Sequence, residues 1–274
     1  MSLKINDPFC FTAGDSPLLV SMPHCGTQLL PGMEETLTDA AKKLPDTDWY
    51  MPELYGFLRS LNVSIISANY SRFVVDLNRP VDDKPLYTTK TTGLFPDILF
   101  ADAPVFLEGK GLSEATKEQI KAQIWQPYHQ QIASELERIK ARFGYAILFD
   151  AHSIAAQVPM LFEGTLPDFN FGNNGGLSCA EALLNNAAEI VSQSPYTHVC
   201  NGRFKGGYIT RHFGQPEQHV HALQLELSQA TYLADFANTE GQPNDYVLDI
   251  DKQQRVGAVL QKIIASLLAA DDLA

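Results

Sequence analysis

Apolar residues recur along this chain in short runs that alternate with longer amphipathic segments. Apolar runs predict β-strands at residues 18–21, 64–68, 73–77, 145–150 and 221–227. Several of these runs are too continuously apolar to have a wet face, as expected for a sheet covered by helices on both sides. Segments with apolar positions spaced by three or four predict helices at residues 49–60, 113–143, 178–194 and 252–268.

The longest helical pattern carries its own signals for a start, an end and a break. Ser113 is a typical N-cap and Gly144 a typical terminator. Pro127 predicts a kink or a split, because proline has no N–H to donate within a helix. Strands that alternate with helices, without a repeat or a long linker, predict an α/β fold and one compact domain.

Charge and cysteine content narrow the class of protein. A formal net charge of -12 disfavours nonspecific binding to nucleic acid or to anionic membranes and favours small-molecule or protein partners. No apolar run approaches the roughly 18 residues of a membrane helix, and no export signal is recognisable. Four widely spaced cysteines without a CxxC pair fit the reduced thiols of a cytoplasm. We expect a cytoplasmic protein, and the sequence carries no signal for an oligomeric state.

Two histidines follow or end predicted strands at equivalent places. His24 follows the strand at residues 18–21, and His152 follows the one at residues 145–150. Because α/β sheets carry their chemistry at the carboxyl ends of strands, a metal site is favoured over two structural histidines. Zinc would take two imidazoles and a carboxylate, for which Asp48 and Asp46 are candidates, although Asp48 could equally be a helix N-cap. Asp150 shares a strand face with His152 and suits a role in orienting an imidazole.

The strand at residues 221–227 places leucines on one face and Gln224 and Glu226 on the other. It is either an edge strand with a solvated face or the carrier of a general base, Glu226. The segment 69–80 mounts Arg72 and Arg79 on an apolar run in an acidic protein. Guanidinium groups match carboxylates, so these arginines form either structural salt bridges or a clamp for a substrate carboxylate.

A glycine-rich basic segment, residues 202–212, precedes that strand and contains Arg203, Tyr208 and Arg211. It lacks the arrangement of a nucleotide-binding loop. It is either a solvated surface loop or a mobile segment that covers a substrate and binds its anionic groups. Cys25 beside His24 could suggest a thiol nucleophile, but adjacent strand residues point to opposite faces.

Several short motifs together resemble one family, the N-formylglutamate amidohydrolases (deformylases). They are PHCG at 23–26, TD at 47–48, YSR at 70–72, VDLNRP at 75–80, DAHS at 150–153, GGYITR at 206–211 and LELS at 225–228. Their order is also similar to that of the zinc carboxypeptidases. The resemblance implies a mixed-sheet α/β fold of the zinc carboxypeptidase (phosphorylase/hydrolase-like) type, with residues 1–274 as a single catalytic domain. It further implies zinc-dependent hydrolysis of N-formyl-L-glutamate to formate and L-glutamate in histidine degradation.

The same resemblance implies roles for individual residues. One zinc ion per chain would be held by His24, Asp48 and His152, and another divalent transition metal would suit the same ligands. Glu226 would be the general base, and Arg72 would donate to the oxyanion. Asn78 and Arg79 would bind the α-carboxylate of the substrate. Arg203 or Arg211, with Tyr208, would bind its side-chain carboxylate. The carboxypeptidase pattern has a glutamate ligand where this chain has Thr27, so Asp48 is its replacement. The alternatives are a related N-acylamino acid deacylase, a carboxypeptidase-like hydrolase, or a non-catalytic binder of acidic metabolites.

Overall fold

Seven strands form one mixed sheet in a computed structural model that describes residues 5–86, 91–235, 246–270 and 273. The strands are β1 (Phe9–Thr12), β2 (Leu18–Met22), β3 (Ser64–Ala68), β4 (Ala146–Ile154), β5 (Phe169–Gly172), β6 (His198–Cys200) and β7 (Val220–Ser228). Their order across the sheet is β1-β3-β2-β4-β7-β5-β6. Strands β3, β2, β4 and β7 run parallel, whereas β1, β5 and β6 run the opposite way.

Helices cover both faces of this sheet, as the apolar strand pattern predicts. The α-helices are α1 (Asp39–Lys42), α2 (Met51–Leu54), α3 (Glu114–Ile120), α4 (Gln126–Phe143), α5 (Glu181–Ser192), α6 (Tyr208–Phe213) and α7 (Ile250–Leu268). One face of the sheet, with Val20 and Phe149, packs against α2, α5 and α7, and the other, with Leu19 and Leu148, packs against α3, α4 and α6. The α/β expectation with helices on both faces is confirmed. No helix in the described ranges is long and apolar enough to cross a membrane.

Pro127 does not break the long helical segment. The Ser113 hydroxyl accepts the Thr116 N–H at 3.2 Å, and Gly144 ends α4 with a φ of 85°. Between α3 and α4 the backbone forms a π-helical turn, Lys121–Trp125, in which the Gln126 N–H donates to the Lys121 carbonyl. Because a π turn is wider than an α turn, it makes room for the proline ring that a regular helix would press against the preceding turn. The predicted split therefore appears as a local widening.

The predicted strand at residues 73–77 is wrong. This segment forms consecutive turns, closed by hydrogen bonds from the Val74 N–H to the Ser71 carbonyl and from the Arg79 N–H to the Asp76 carbonyl. Its apolar side chains are at most 1% exposed because they pack into the core beside α4. Burial on all sides produces the same apolar run as a central strand, without any strand pairing.

Other boundaries also differ from those predicted. The segment 49–60 holds only the four-residue α2, followed by a 3-10 helix at Gly56–Leu61, and α5 begins at Glu181. Shorter 3-10 turns lie at Glu34–Thr36, Asn174–Gly176, Pro216–Gln218 and Gln229–Thr231. Strands β1, β5 and β6 have three or four residues each, too few to give a clear periodic signal.

Candidate active site

The register of β4 and β7 brings four polar side chains onto one face of the sheet. Asp150 pairs with Gln224, and His152 pairs with Glu226, near the carboxyl ends of the two strands. Because alternate residues of a strand share a face, all four side chains point towards α4 and α6. His24 follows the neighbouring parallel strand β2. Because parallel strands bring their carboxyl ends to one edge of the sheet, the rings of His24 and His152 lie together there, as the sequence predicts.

His24, Asp48 and His152 form a buried group whose potential ligand atoms all lie within 4.8 Å of one another. The Asp48 Oδ2 atom lies 3.2 Å from His152 Nδ1 and 3.9 Å from His24 Nδ1. Two ligand atoms bound to one tetrahedral zinc ion stand ~3.3 Å apart, so the donor types and their spacing fit such an ion. Asp48 is not a helix cap, because Tyr50 occupies the N-cap position of α2.

Two further carboxylates hold the outer nitrogens of the imidazoles. His24 Nε2 lies 2.7 Å from Asp76 Oδ1, and His152 Nε2 lies 3.1 Å from Asp150 Oδ2 and 3.0 Å from Asn78 Nδ2. These contacts turn both Nδ1 atoms towards Asp48, as carboxylate partners of metal-bound histidines commonly do. Asp150 therefore lies where its predicted orienting role requires. The sequence assigned no role to Asp76, although it lies inside one of the family-like motifs.

The pKa values of the two histidines move in opposite directions. Burial, aided by the Arg72 charge, lowers the pKa of His24. Burial also acts to lower the pKa of His152, but the charges and hydrogen bonds of Asp150 and Asp48 outweigh it and raise the pKa well above its ordinary value. The carboxylates of Asp150 and Asp48 therefore stabilise a positive charge at the position of His152.

Asp46, the alternative ligand, lies outside the histidine group. Its Oδ2 atom accepts the Phe100 N–H at 3.0 Å, and its backbone carbonyl accepts a hydrogen bond from Arg72 at 3.4 Å. Burial raises the pKa of the Asp46 carboxyl to about 6. Its position supports the loop that carries Asp48.

Arg72 combines a structural ion pair with a place in the cavity wall. One guanidinium nitrogen donates to Asp76 Oδ2 at 2.6 Å, and the group lies 4.7 Å from the centre of the Phe100 ring. Burial acts to raise the pKa of Asp76, but His24 and Arg72 outweigh it and hold that pKa well below its ordinary value. Arg72 thus forms a structural salt bridge and also borders the cavity, and its role as a ligand of a substrate stays a prediction.

A cavity opens beside the histidine group. Its polar lining includes the predicted substrate ligands Arg72, Asn78, Arg79 and Arg203, the predicted base Glu226, and Gln224. Glu226 is 8% exposed, and burial raises the pKa of its carboxyl to about 8. Tyr208 and Arg211, two other predicted substrate ligands, are outside this lining: the Tyr208 ring stacks on His212 and Arg211 Nε donates to the Gly206 carbonyl at 2.8 Å.

Arg79 is held in place from several sides. Its side chain donates to the Thr92 carbonyl at 2.8 Å, the Asn78 carbonyl at 3.1 Å and the Thr91 hydroxyl at 2.8 Å. Its own carbonyl accepts the indole N–H of Trp125 at 2.9 Å, from the π turn. Within the described ranges the other two of the five guanidinium N–H groups form no hydrogen bond, so they are open to a ligand.

The glycine-rich segment packs closely on the cavity wall. The Gly207 N–H donates to Gln224 Oε1 at 2.7 Å, and the Ile209 N–H donates to Asn78 Oδ1 at 2.8 Å. A Cβ atom at position 207 would come within 2.3 Å of Asn78 Nδ2, so any larger residue would displace the Asn78 amide. The mobility expected of this segment stays a prediction, and close approach to Asn78 is the role that the geometry gives to Gly207.

Cys25 is poorly placed as a nucleophile. Its Sγ donates to the Met22 carbonyl at 3.3 Å, and burial raises the pKa of the thiol far above its ordinary value. A thiol that keeps its proton is a weak nucleophile.

Known proteins are similar to this chain in both sequence and fold. A family model described as N-formylglutamate amidohydrolase matches residues 16–233. The chain is 51% identical over 266 residues to an N-formylglutamate deformylase of Pseudomonas aeruginosa, with 97% of each protein covered. It is 48% identical over 260 residues to one of Pseudomonas putida, with 94% of this chain and 95% of the relative covered.

Solved structures agree on the fold. The crystal structure of an N-formylglutamate amidohydrolase from Ralstonia eutropha JMP134 is similar with a TM-score of 0.78 and 21% identity, over 96% of this chain and 98% of that one. A gene product of Agrobacterium tumefaciens is similar with a TM-score of 0.70 and 12% identity, over 96% of each chain. By its sequence match over most of its length, this chain belongs to the N-formylglutamate amidohydrolase family.

Proposed function

We propose that this protein hydrolyses N-formyl-L-glutamate to formate and L-glutamate, with a divalent metal ion, zinc in the first place, held by His24, Asp48 and His152. The proposal rests on one observation above all: a buried His–Asp–His group borders the same cavity as a protonatable glutamate and several arginines. The names of the Pseudomonas relatives supply the substrate. The residues 1–274 would act as a single catalytic domain, and the place of the reaction in histidine degradation stays a prediction.

When bound, the metal would supply Lewis acidity towards the formyl carbonyl and the attacking water. Glu226 is the general base. Its carboxyl faces the cavity, and burial raises its pKa to about 8 in the metal-free protein, whereas the charge of a bound cation would act to lower that pKa. The ionised carboxylate takes a proton from the attacking water and passes it to the departing amine. Arg72 donates to the formyl oxygen as negative charge develops on it, an interaction worth about 3 kcal/mol in comparable sites.

The two substrate carboxylates are assigned to separate arginines. Arg79 and Asn78 bind the α-carboxylate, and Arg203, which lines the cavity and is anchored by its Nε to the Leu161 carbonyl at 2.7 Å, binds the side-chain carboxylate. Arg211 and Tyr208 would reach the substrate only if the segment that carries them moved. Although the protein as a whole is acidic, a local cluster of arginines would thus bind the dianionic substrate.

A substrate panel with metal analysis tests the proposal. We expect a stoichiometric divalent metal, loss of activity on chelation, and the highest kcat/KM for N-formyl-L-glutamate among N-formyl and N-acetyl amino acids. A clear preference for another acylamino acid would favour a related deacylase. Binding of acidic metabolites without metal or turnover would favour the non-catalytic binder.

The Glu226→Gln variant tests the assigned base separately. We expect kcat to fall by about 10²- to 10⁴-fold, as for other general bases, with metal content unchanged. Glu217→Gln at an exposed position serves as the matched control and should keep full activity. A near-normal rate in the Glu226 variant would remove this residue from the mechanism.

A further inference from the structure

Gln224 is a buried polar residue of the cavity wall to which the reaction above gives no role. It is 3% exposed and precedes Glu226 by two residues on β7, so both side chains project from the same face of the sheet. Burying an amide is costly unless its polar atoms find partners. The position therefore needs an explanation.

One half of the Gln224 amide is fixed by the protein. Its Oε1 accepts the Gly207 N–H at 2.7 Å. A backbone N–H can only donate, so the oxygen must face Gly207 and the amide cannot be turned around. The NH2 group is consequently directed to the other side.

The other half of the amide is left for a ligand. Within the described ranges Nε2 forms no hydrogen bond, and it is not among the buried polar atoms sealed from solvent. Since Gln224 lines the cavity, its two N–H donors are presented there. An oriented pair of donors in a largely dehydrated wall matches an anionic acceptor such as a carboxylate.

Distance along the strand indicates which carboxylate this is. Two residues of a strand span ~6.6 Å, which separates Gln224 from the proposed base Glu226. In glutamate the side-chain carboxyl carbon lies four bonds from the nitrogen that receives the proton, a reach of about 5 Å by ordinary bond lengths, whereas the α-carboxyl carbon lies two bonds away. A substrate whose nitrogen is next to Glu226 can therefore place its side-chain carboxylate at Gln224.

We propose that Gln224 determines specificity by donating its Nε2 hydrogens to the side-chain carboxylate of the substrate, with Gly207 fixing the amide for that purpose. This inference rests on the proposed deformylase function. In this arrangement Arg203 provides the positive charge that pairs with the substrate's side-chain carboxylate. Gln224 fixes the orientation of that carboxylate and how far it enters the cavity, without placing a second cation beside Asp150. The ligand class is an N-formyl amino acid with a carboxylate at the end of a two-carbon side chain.

A substrate–variant cycle tests the inference. The kcat/KM is measured for N-formyl-L-glutamate and for N-formyl-L-norvaline, in which a methyl group replaces the side-chain carboxylate. The variant Gln224→Met keeps the length of the side chain but has no donors. We expect its kcat/KM for formylglutamate to fall about tenfold or more, the usual effect of losing a hydrogen bond to a charged group, and its value for formylnorvaline to stay within about twofold.

Equal losses for the two substrates would overturn the inference, since they would mean that Gln224 only supports Gly207 or acts on the formyl group. Gln224→Glu provides a second variant, because it keeps an acceptor for the Gly207 N–H and replaces the donors by an oxygen. At alkaline pH, where the new carboxylate is ionised, the kcat/KM of this variant for formylglutamate should also fall, and its kcat/KM for formylnorvaline should not. Gln261→Met, on the exposed side of α7, is the matched control and should change neither value.

The outcome is separable from that of the proposed function. If the unsubstituted protein does not hydrolyse formylglutamate, the proposed function fails before any variant is compared. If it does, only the ratio between the two substrates decides the role of Gln224. Metal content and thermal unfolding of each variant show whether a loss arises from misfolding, and the Gln224→Glu variant decides the question if Gln224→Met does not fold.

Discussion

Replacing Asp76 by asparagine should weaken both the fold and the metal site. Asp76 is fully buried, and its carboxylate meets His24 Nε2 at 2.7 Å, an Arg72 nitrogen at 2.6 Å and the Asn78 N–H at 2.9 Å. Asparagine has one acceptor oxygen for these partners, and its NH2 group faces a donor. Removing one member of a buried ion pair leaves the other charge uncompensated, at a cost of about 3 to 5 kcal/mol.

The effect on metal binding follows from the same contacts. With the carboxylate gone, the His24 ring loses the partner that directs Nδ1 towards Asp48, and loss of such a partner commonly lowers metal affinity about 10- to 100-fold. Urea unfolding of the metal-free protein measures the first effect, and titration with zinc against a competing chelator measures the second.

The control for Asp76→Asn is Asp39→Asn in α1. The Asp39 side chain is 99% exposed and pairs with Lys42 at 2.9 Å, so its loss should leave both unfolding and metal affinity almost unchanged. An Asp76→Asn protein that unfolds like the unsubstituted chain and binds zinc equally well would refute the reasoning.

Two further variants test features that support the site. His129 lies in α4, where its ring stacks on that of Trp125. Burial lowers its pKa to about 4, so the unfolded chain binds a proton at this histidine first as pH falls below about 6.5. We expect this group alone to lower the stability by about 3 kcal/mol by pH 4. His129→Phe should flatten this part of the stability profile in urea unfolding at several pH values, and an unchanged slope would contradict the assignment. Gly207→Ala should lower kcat/KM about 10- to 100-fold by displacing Asn78. Gly257→Ala in α7, where a Cβ meets nothing within 4 Å, should not lower it, and equal activity of the two variants would contradict close packing at Gly207.

The sequence predicts the central strands and the histidines for related reasons. Strands β2, β3, β4 and β7 lie in the interior of the sheet, so covered faces leave apolar runs in the sequence. His24 and His152 follow from the rule that parallel strands bring their carboxyl ends together. Glu226 follows from the alternation of leucines with polar residues along β7.

The remaining features depend on contacts that leave no local pattern. Asp76 lies 52 positions after His24 in the sequence, and no periodicity links the two. The segment 73–77 is apolar through burial in turns, so its pattern is the same as that of a strand. Gln224 gains its orientation only from the Gly207 N–H of a distant loop.

The π turn at Lys121–Trp125 sets the rotation of α3 relative to α4. It inserts one extra residue into the helical winding, and its last residue, Trp125, holds the Arg79 carbonyl. Deleting one residue there would restore regular winding and rotate the helix on its amino-terminal side by ~100° relative to α4. The orientation of α3 can thus change while α4, every strand of the sheet and both histidines stay in place.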